Sequence, residues 1–323
     1  MRALFVVNPH ATSTTAETRD GIAAALRRDL DLRVAHTEYR RHAVEIAREA
    51  ARDGTELIIT LGGDGTINEV VNGLLTPDRP GDAPGDPAPE SRPPAEELPL
   101  LAALPGGSAN VFIRSLGQPA DPEEAAEALL AAVAKESWRT IGLGLADDRY
   151  FTFCAGLGLD AEVVHAVDEQ RTEGHKATAT RYMLTALRHF LLEVDRSDPA
   201  IELLVPGEPD PGRLFYAVVT NTSPWTYAGD KPVRPTPLAG LDTGLDLFAL
   251  TQLEPLSVLG ILTQMLAPDG LPPVGDGYIT RHDMADFRIR ASRPTALQID
   301  GEYIGERSEV HFRSAPESIR IVL

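Results

Sequence analysis

The pentapeptide GGDGT, Gly62 to Thr66, stands between a strand-like segment and a helix-like segment. Before it, Leu57–Leu61 is a short apolar run that is typical of a buried strand. After it, apolar residues recur at helical spacing: Ile67, Val70, Val71, Leu74 and Leu75. In α/β folds a strand, a glycine turn and a helix in this order direct backbone N–H groups and a helix dipole at phosphate. The pentapeptide therefore predicts a phosphate-binding loop.

Asp64 adds a negative charge to this predicted loop. A carboxylate repels phosphate unless a cation lies between them or the carboxylate meets a sugar or hydroxyl proton. A divalent metal ion bound with ATP is the simplest arrangement that satisfies both charges. The alternative is a tight turn between strand and helix in which Asp64 serves only as a helix cap.

The first part of the chain alternates strand-like and helix-like segments, which predicts a parallel sheet with helices on its faces. The predicted strands are 2–7, 31–36, 57–61 and 100–104, and the predicted helices include 15–30, 41–52 and 122–136. Between them, residues 76–99 contain eight prolines and form a predicted surface insertion.

After about residue 137 the pattern changes to strand-like runs separated by turns that contain Gly or Pro. These runs are 150–154, 201–205, 214–220, 246–250, 287–291, 295–299 and 310–312. We expect a largely antiparallel, β-rich second domain.

Composition excludes several classes of function. A net charge of −18 argues against nucleic acid as a partner, because nucleic-acid binding depends on neutralising phosphates. The same charge disfavours broad electrostatic attachment to anionic lipid, so we expect any membrane contact to be local. Cys154 is the single cysteine, which excludes an internal disulfide and suits the cytosol. The sequence has neither an apolar stretch of about 18 residues nor a signal peptide.

Five motifs together resemble the diacylglycerol kinase catalytic family of lipid kinases, which includes bacterial diacylglycerol kinases and sphingosine kinases. They occur in the family's order over almost the whole chain: Asn8-Pro9, GGDGTINEVVNGL (62–74), LPGGSANVFIRSL (104–116), GLGLDAEVV (156–164) and LQIDGE (297–302). NAD kinases resemble the GGDGT motif too, and the later motifs favour a lipid kinase.

The resemblance implies an α/β nucleotide-binding domain with a parallel sheet, joined to an antiparallel β-sandwich domain that takes the lipid. The expected boundaries are 1–139 for the first domain and 140–313 for the second, with 314–323 returning to the first. Residues 318–323 are a candidate for the returning strand.

Loops after three strands of the first domain are expected to meet the nucleotide. The predicted nucleotide-binding residues are Asn8, Thr12, Thr37, Gly62, Gly63, Asp64, Gly65, Thr66, Asn68, Gly106, Gly107 and Ser108. The first loop lacks the family's glycine, and Thr12 and Ser13 stand in its place. In the loop at 105–110, Ser108 replaces the family's threonine, Asn110 matches its asparagine, and Val111 replaces its aspartate.

Phosphoryl transfer requires an acceptor hydroxyl to lose a proton. By resemblance Asp300 is the candidate general base, Glu302 supports it or a metal ion, and Asp64 is the metal-linked acid. The alternative for Asp300 and Glu302 is a hairpin turn with two solvated acids. Asp160 matches the family's acidic residue near the acceptor.

Two further features depend on the resemblance or on composition. Asp242 lies in a turn that resembles the family's site for structural magnesium, although Thr243 replaces the second aspartate of that turn. The segment 176–192 combines apolar and basic residues and could line lipid entry or lie at an interface, with core packing as the equal alternative.

The sequence therefore predicts an ATP- and Mg²⁺-dependent lipid kinase of phospholipid biosynthesis, with diacylglycerol favoured over a sphingoid base as acceptor. We expect it in the cytoplasm, in peripheral contact with the inner face of the membrane, and its oligomeric state stays open, a homodimer included. The alternatives are an NAD kinase-like enzyme and a catalytically silent regulator that binds nucleotide or lipid, the latter motivated by Val111 and Thr243.

Overall fold

The computed structural model describes residues 1–11, 13–76, 92–158, 161–162, 164–165 and 198–323. The chain divides into two compact units. Unit 1 comprises Met1–Gly142, Asp148–Tyr150 and Ala315–Leu323, and unit 2 comprises Leu143–Asp147 and Phe151–Ser314. The sequence predicted domain boundaries at 139/140 and 313/314. It did not predict that 143–147 belong to unit 2 while 148–150 belong to unit 1.

Unit 1 is built on parallel strands in the order β2-β1-β3-β4, with the end of the last strand beside β4. The first four strands are β1 (Arg2–Val7), β2 (Asp31–His36), β3 (Leu57–Gly62) and β4 (Leu100–Pro105). The helices are α1 (Ala16–Leu26), α2 (His42–Arg52), α3 (Asp64–Leu75), α4 (Val111–Ser115) and α5 (Pro122–Ala134). The predicted parallel α/β fold is confirmed.

Burial explains the order of this sheet. Every residue of β3 is buried, as a central strand covered on both faces requires. Phe5 of β1 and Ile59 of β3 share one apolar core with Ile22 of α1 and Leu129 of α5. Helices α2 and α3 approach closely, because a Cβ atom added to Gly73 would lie 2.5 Å from the Val44 carbonyl oxygen.

Unit 2 contains mainly antiparallel strands, as predicted. The remaining strands of the chain are β5 (Trp138–Ala146), β6 (Arg149–Phe151), β7 (Cys154–Gly158), β8 (Ile201–Leu204), β9 (Arg213–Leu214), β10 (Tyr216–Thr220), β11 (Thr226–Ala228), β12 (Lys231–Val233), β13 (Leu245–Leu250), β14 (Tyr278–Met284), β15 (Asp286–Ile299) and β16 (Glu302–Val322). Among the described residues, helix α6 (Pro255–Met265) follows β13. Phe287 and Phe312 stack in the core with ring centroids 5.3 Å apart.

Two long strands replace four predicted short segments. β15 runs through the predicted segments 287–291 and 295–299, and its register against β16 shifts between Arg290 and Thr295. β16 likewise runs through 310–312 and 318–322. Its early part pairs with β15, and Ile321 near its end pairs with Leu101 of β4, so residues 315–323 return to unit 1.

Some predicted features lie outside the described residues. These are the segment 176–192 and most of the insertion at 76–99, of which 77–91 are not described. Within the residues that the structure describes, no helix is both long enough and apolar enough to span a membrane.

Candidate functional site

Three loops meet at the carboxyl ends of β1, β3 and β4 in unit 1. The Gly106 amide donates to the Gly62 carbonyl at 2.9 Å, which joins the two glycine loops. From the first loop, Ser13 donates its backbone N–H to Gly106 O at 3.0 Å and its hydroxyl to Gly107 O at 2.7 Å. The structure therefore brings together the three loops that the sequence predicted to face a nucleotide.

The two glycine loops touch backbone to backbone. A Cβ atom added to Gly106 would lie 2.9 Å from Gly62 N, and one added to Gly107 would lie 2.5 Å from Gly63 Cα. Side chains do not fit at such distances, so these glycines are required by the approach of the loops. Gly65 differs, because an added Cβ there would have no atom within 4 Å.

Asp64 binds the start of α4 with both of its carboxylate oxygens. Oδ2 accepts from the Val111 amide at 2.9 Å and Oδ1 from the Phe112 amide at 3.0 Å. Asp64 is only 9% exposed. The sequence favoured a metal ion beside Asp64, with a helix cap as the alternative. The structure supplies two backbone donors at the N-terminus of α4, which stabilise a carboxylate directly.

The predicted nucleotide-binding residues differ in exposure. Gly65 and Ser108 are exposed at the surface of the loops, while Asn8 and Gly63 are half-buried. Thr37, beyond β2, and Thr66, in the first turn of α3, are buried. Thr12 lies outside the described residues. Gly65 and Ser108 are therefore the predicted residues most open to a ligand.

Asn68 has a structural environment that the sequence did not reveal. It is 1% exposed, and its side-chain amide donates to the Tyr150 carbonyl at 2.9 Å. Its Oδ1 accepts from Arg149 at 2.8 Å and from Asn72 at 3.2 Å. The prediction of a nucleotide contact for Asn68 therefore finds no support in its contacts, which hold α3 against the hairpin that contains β6. Arg149 lies 81 residues away in the chain, and no local pattern pointed to it.

In unit 2, Asp300 lies in a tight turn between β15 and β16. Asp300 and Gly301 have positive φ values of 48° and 75°, and Ile299 pairs with Glu302 across the turn. This is the Asp-Gly pattern of a two-residue hairpin. The hairpin alternative was thus correct about the turn, but Asp300 is 5% exposed and not a solvated acid.

The Asp300 carboxylate accepts four hydrogen bonds from one short segment. Oδ2 accepts from the backbone N–H and the hydroxyl of Thr152 at 2.7 and 2.9 Å, and Oδ1 from the amides of Phe153 and Cys154 at 3.0 and 3.1 Å. A carboxylate has about four lone-pair positions, so these donors fill them. Glu302 is half-buried at the start of β16. Asp160 lies outside the described residues.

The turn at 240–244 is held by hydrogen bonds within the protein. The Thr243 hydroxyl donates to Gly240 O at 2.9 Å, and the Gly244 amide donates to Asp283 Oδ1 at 2.6 Å. Asp242 is exposed. Among the described residues, no group of three or more His, Cys, Asp or Glu side chains is placed to hold a metal ion. The predicted structural magnesium at Asp242 therefore has no supporting ligand set there.

Asp246, in β13 close to this turn, has a shifted pKa. Burial raises its pKa above the ordinary value, and hydrogen bonds from the Asp283 amide and His282 partly oppose that rise. His282 Nδ1 lies 2.8 Å from Asp246 Oδ1. The pair fastens β14 to β13 and was not singled out by sequence, because the two residues are 36 positions apart.

We predict that Gly107→Ala destabilises the protein and that Gly65→Ala does not. Overpacking against the Gly63 backbone should cost about 1–3 kcal/mol of unfolding free energy. Alanine at position 65 meets open space in the first turn of a helix and should be neutral or slightly stabilising. Urea unfolding of the two variants measures the difference, and equal unfolding free energies would contradict the close approach of the loops.

We predict that Asp64→Asn lowers the unfolding free energy by about 1–3 kcal/mol without any nucleotide or metal present, because one amide donor of α4 loses its acceptor. Asp121→Asn is the matched control. There a single oxygen, Oδ1, accepts from both Glu123 N and Glu124 N, and asparagine keeps that oxygen. Thermal unfolding that shifts equally in both variants would show that Asp64 does not hold α4 in this way.

Comparison with known proteins agrees with this architecture. Residues 2–142 match the model of the diacylglycerol kinase catalytic domain. The chain is 28% identical to the diacylglycerol kinase of Bacillus subtilis over 269 residues, covering 81% of this chain and 76% of that protein. It is 29% identical to the diacylglycerol kinase of Staphylococcus carnosus over 264 residues, covering 80% and 74%.

A crystal structure of a diacylglycerol kinase from Bacillus anthracis superposes with a TM-score of 0.67 at 19% identity, covering 99% of this chain and 96% of that one. At this identity the superposition shows the shared fold. The matched model identifies residues 2–142 as a diacylglycerol kinase catalytic domain, and the two named kinases are similar to this chain over 80–81% of its length.

Proposed function

We propose that this lipid kinase transfers the γ-phosphoryl group of ATP to the free hydroxyl of diacylglycerol, which yields phosphatidic acid. The observation that carries the proposal is the meeting of three strand-end loops in unit 1, with the glycine backbones in contact and Gly65 and Ser108 exposed. Exposed backbone N–H groups at the start of a helix are suited to the phosphates of a nucleotide.

Two arguments favour ATP at these loops over a purely structural turn. The Asp64 carboxylate is buried and accepts from the Val111 and Phe112 amides, so it is not part of the exposed loop surface at Gly65. An added Cβ at Gly65 meets open space, so this glycine is not required by packing. A phosphate that approaches the backbone closely gives it a function.

We propose that Mg²⁺ binds together with the nucleotide. The described carboxylates do not form a cluster that fits a protein-held Mg²⁺ ion. In kinases the ion characteristically keeps several waters and binds through substrate phosphates with one or two carboxylates. We therefore assign no catalytic step to a protein-bound metal.

For the acceptor, we propose that Glu302 removes the hydroxyl proton and that Asp300 positions the turn. The four donors from Thr152, Phe153 and Cys154 fill the lone pairs of Asp300, and a proton transfer to it would break one of these bonds. Glu302 follows directly in the same turn and is half-buried. This reverses the roles that the family resemblance suggested for the two acids.

The test compares Glu302→Gln with Asp300→Asn, using Mg-ATP and dioctanoylglycerol, with products identified by mass spectrometry. We expect Glu302→Gln to lower kcat by about 10²–10⁴ with unchanged thermal unfolding and ATP binding, since general-base catalysis contributes about that factor. Asp300→Asn should lower the unfolding temperature, because an amide nitrogen replaces an acceptor of two hydrogen bonds.

The opposite pattern would assign the base to Asp300: normal unfolding and lost turnover in Asp300→Asn, with activity kept in Glu302→Gln. Sphingosine and NAD are included as acceptors in the same assay. Phosphate transfer to sphingosine or NAD but not to diacylglycerol would refute the proposed acceptor. ATP binding without transfer to any of the three would refute the proposed reaction.

A further inference from the structure

The outer side of α6 and the loop after it expose large apolar side chains. Their exposed fractions are 79% for Leu256, 61% for Leu259, 42% for Leu262, 63% for Leu271 and 75% for Val274. We call these five residues the α6 apolar surface. Single exposed leucines are ordinary, but five within 19 residues of chain, next to one short helix, need an explanation.

The three leucines of α6 form one stripe. At about 100° per residue, positions 256, 259 and 262 cover about 120° of the helix circumference. Val258, Ile261 and Met265 lie on the opposite side and are buried in unit 2. The helix is therefore apolar on both sides, which in a globular protein is typical of an element that is covered on both sides.

The loop after α6 is fastened to the helix. The Gln264 side chain accepts from the Val274 amide at 2.8 Å and donates to the Val274 carbonyl at 3.1 Å. The Tyr278 hydroxyl donates to the Pro273 carbonyl. These bonds hold Val274 beside the C-terminal turn of α6, so the loop and the helix stripe form one surface.

Charge points to the kind of partner. Residues 255–268 contain no Asp, Glu, Lys, Arg or His. Glu254, Asp269 and Asp276 flank the surface in sequence, and Arg234 approaches Gly270 in space, so charges of both signs lie at its edge. An uncharged apolar stripe does not complement a highly charged protein. It complements an uncharged apolar phase.

Size argues against a second copy of the chain as the partner. A stable protein interface uses about 20–30 residues from each side, whereas this surface has five apolar residues. Insertion into a bilayer has no such requirement, because each leucine gains free energy on its own as it leaves water.

We propose that the α6 apolar surface inserts into the lipid bilayer that contains the acceptor, with α6 lying along the membrane surface. This inference rests on the proposed function, since it names how the enzyme meets a lipid that resides in a membrane. The surface lies outside the segment 176–192 that the sequence suggested for this task. Insertion depends on apolar contact and is opposed by anionic lipid.

The test is flotation of the full-length protein with vesicles of phosphatidylcholine and dioleoylglycerol. Changing Leu256, Leu259 and Leu262 together to Gln should lower the vesicle partition coefficient at least about tenfold, because the loss of even one buried leucine corresponds to about that factor. All three side chains are exposed, so thermal unfolding should not change. Thr263→Gln, on the same exposed side, is the matched control and should bind as the unmodified protein does.

A second variant reports insertion directly. The chain has two tryptophans, and Leu259→Trp adds one on the stripe. Its fluorescence should shift to the blue when vesicles are added, beyond any shift of the unmodified protein. Vesicles rich in phosphatidylglycerol should bind the protein less at low salt, and added salt should reduce the difference because it screens the net charge of −18.

Kinase assays with soluble and with vesicle-bound diacylglycerol test membrane insertion separately from the proposed function. With monomeric, water-soluble dioctanoylglycerol the triple variant should keep the kcat of the unmodified protein, and with diacylglycerol in vesicles it should lose most of its activity. If the protein phosphorylates no lipid, the proposed function fails, while flotation still decides whether the surface inserts. Equal flotation of the triple variant and the unmodified protein would overturn the inference. So would a dimer that becomes monomeric in the triple variant without any vesicle binding.

Discussion

The contact between the two glycine loops of unit 1 is the constraint on which the candidate site depends. Gly107 approaches Gly63 so closely that a Cβ atom has no room, and Asp64 then reaches the amides of Val111 and Phe112. These amides at the start of α4 stabilise the buried carboxylate. Asp64 thus orients two glycine loops, while Gly65 in the loop after β3 stays exposed to a ligand.

Unit 2 uses the same physical solution at Asp300. There too a buried carboxylate accepts backbone N–H groups from a segment distant in sequence, in this case Thr152 to Cys154. Both acids stand in glycine-containing motifs that the family resemblance connects with catalysis. Their contacts indicate that an acid in such a motif can hold the loops of a site in place while a neighbouring residue takes part in the reaction.

Local patterns predicted much of unit 1 because its strands and helices are short, separate and regularly patterned. The bounds of β1 and β2 were predicted correctly, and the start of β3 as well. In unit 2 the same method divided β15 and β16 into four pieces, since polar residues interrupt their apolar alternation where the register shifts. Helix α6 was missed because it is apolar on two opposite sides and lacks the one-sided pattern of a surface helix.

The sequence alone determined the alternation of strands and helices, the glycine turns, the net charge of −18 and, through its motifs, the resemblance to a kinase family. These properties depend on residues that are close together in the sequence or on the composition of the whole chain. Tertiary structure decided what each polar side chain binds. Asp64 and Val111 are 47 positions apart, Asn68 and Arg149 are 81 apart, and Asp300 and Thr152 are 148 apart. A hydrogen bond depends on distances in space that only the packing of the sheet defines, so no local pattern could have identified these partners.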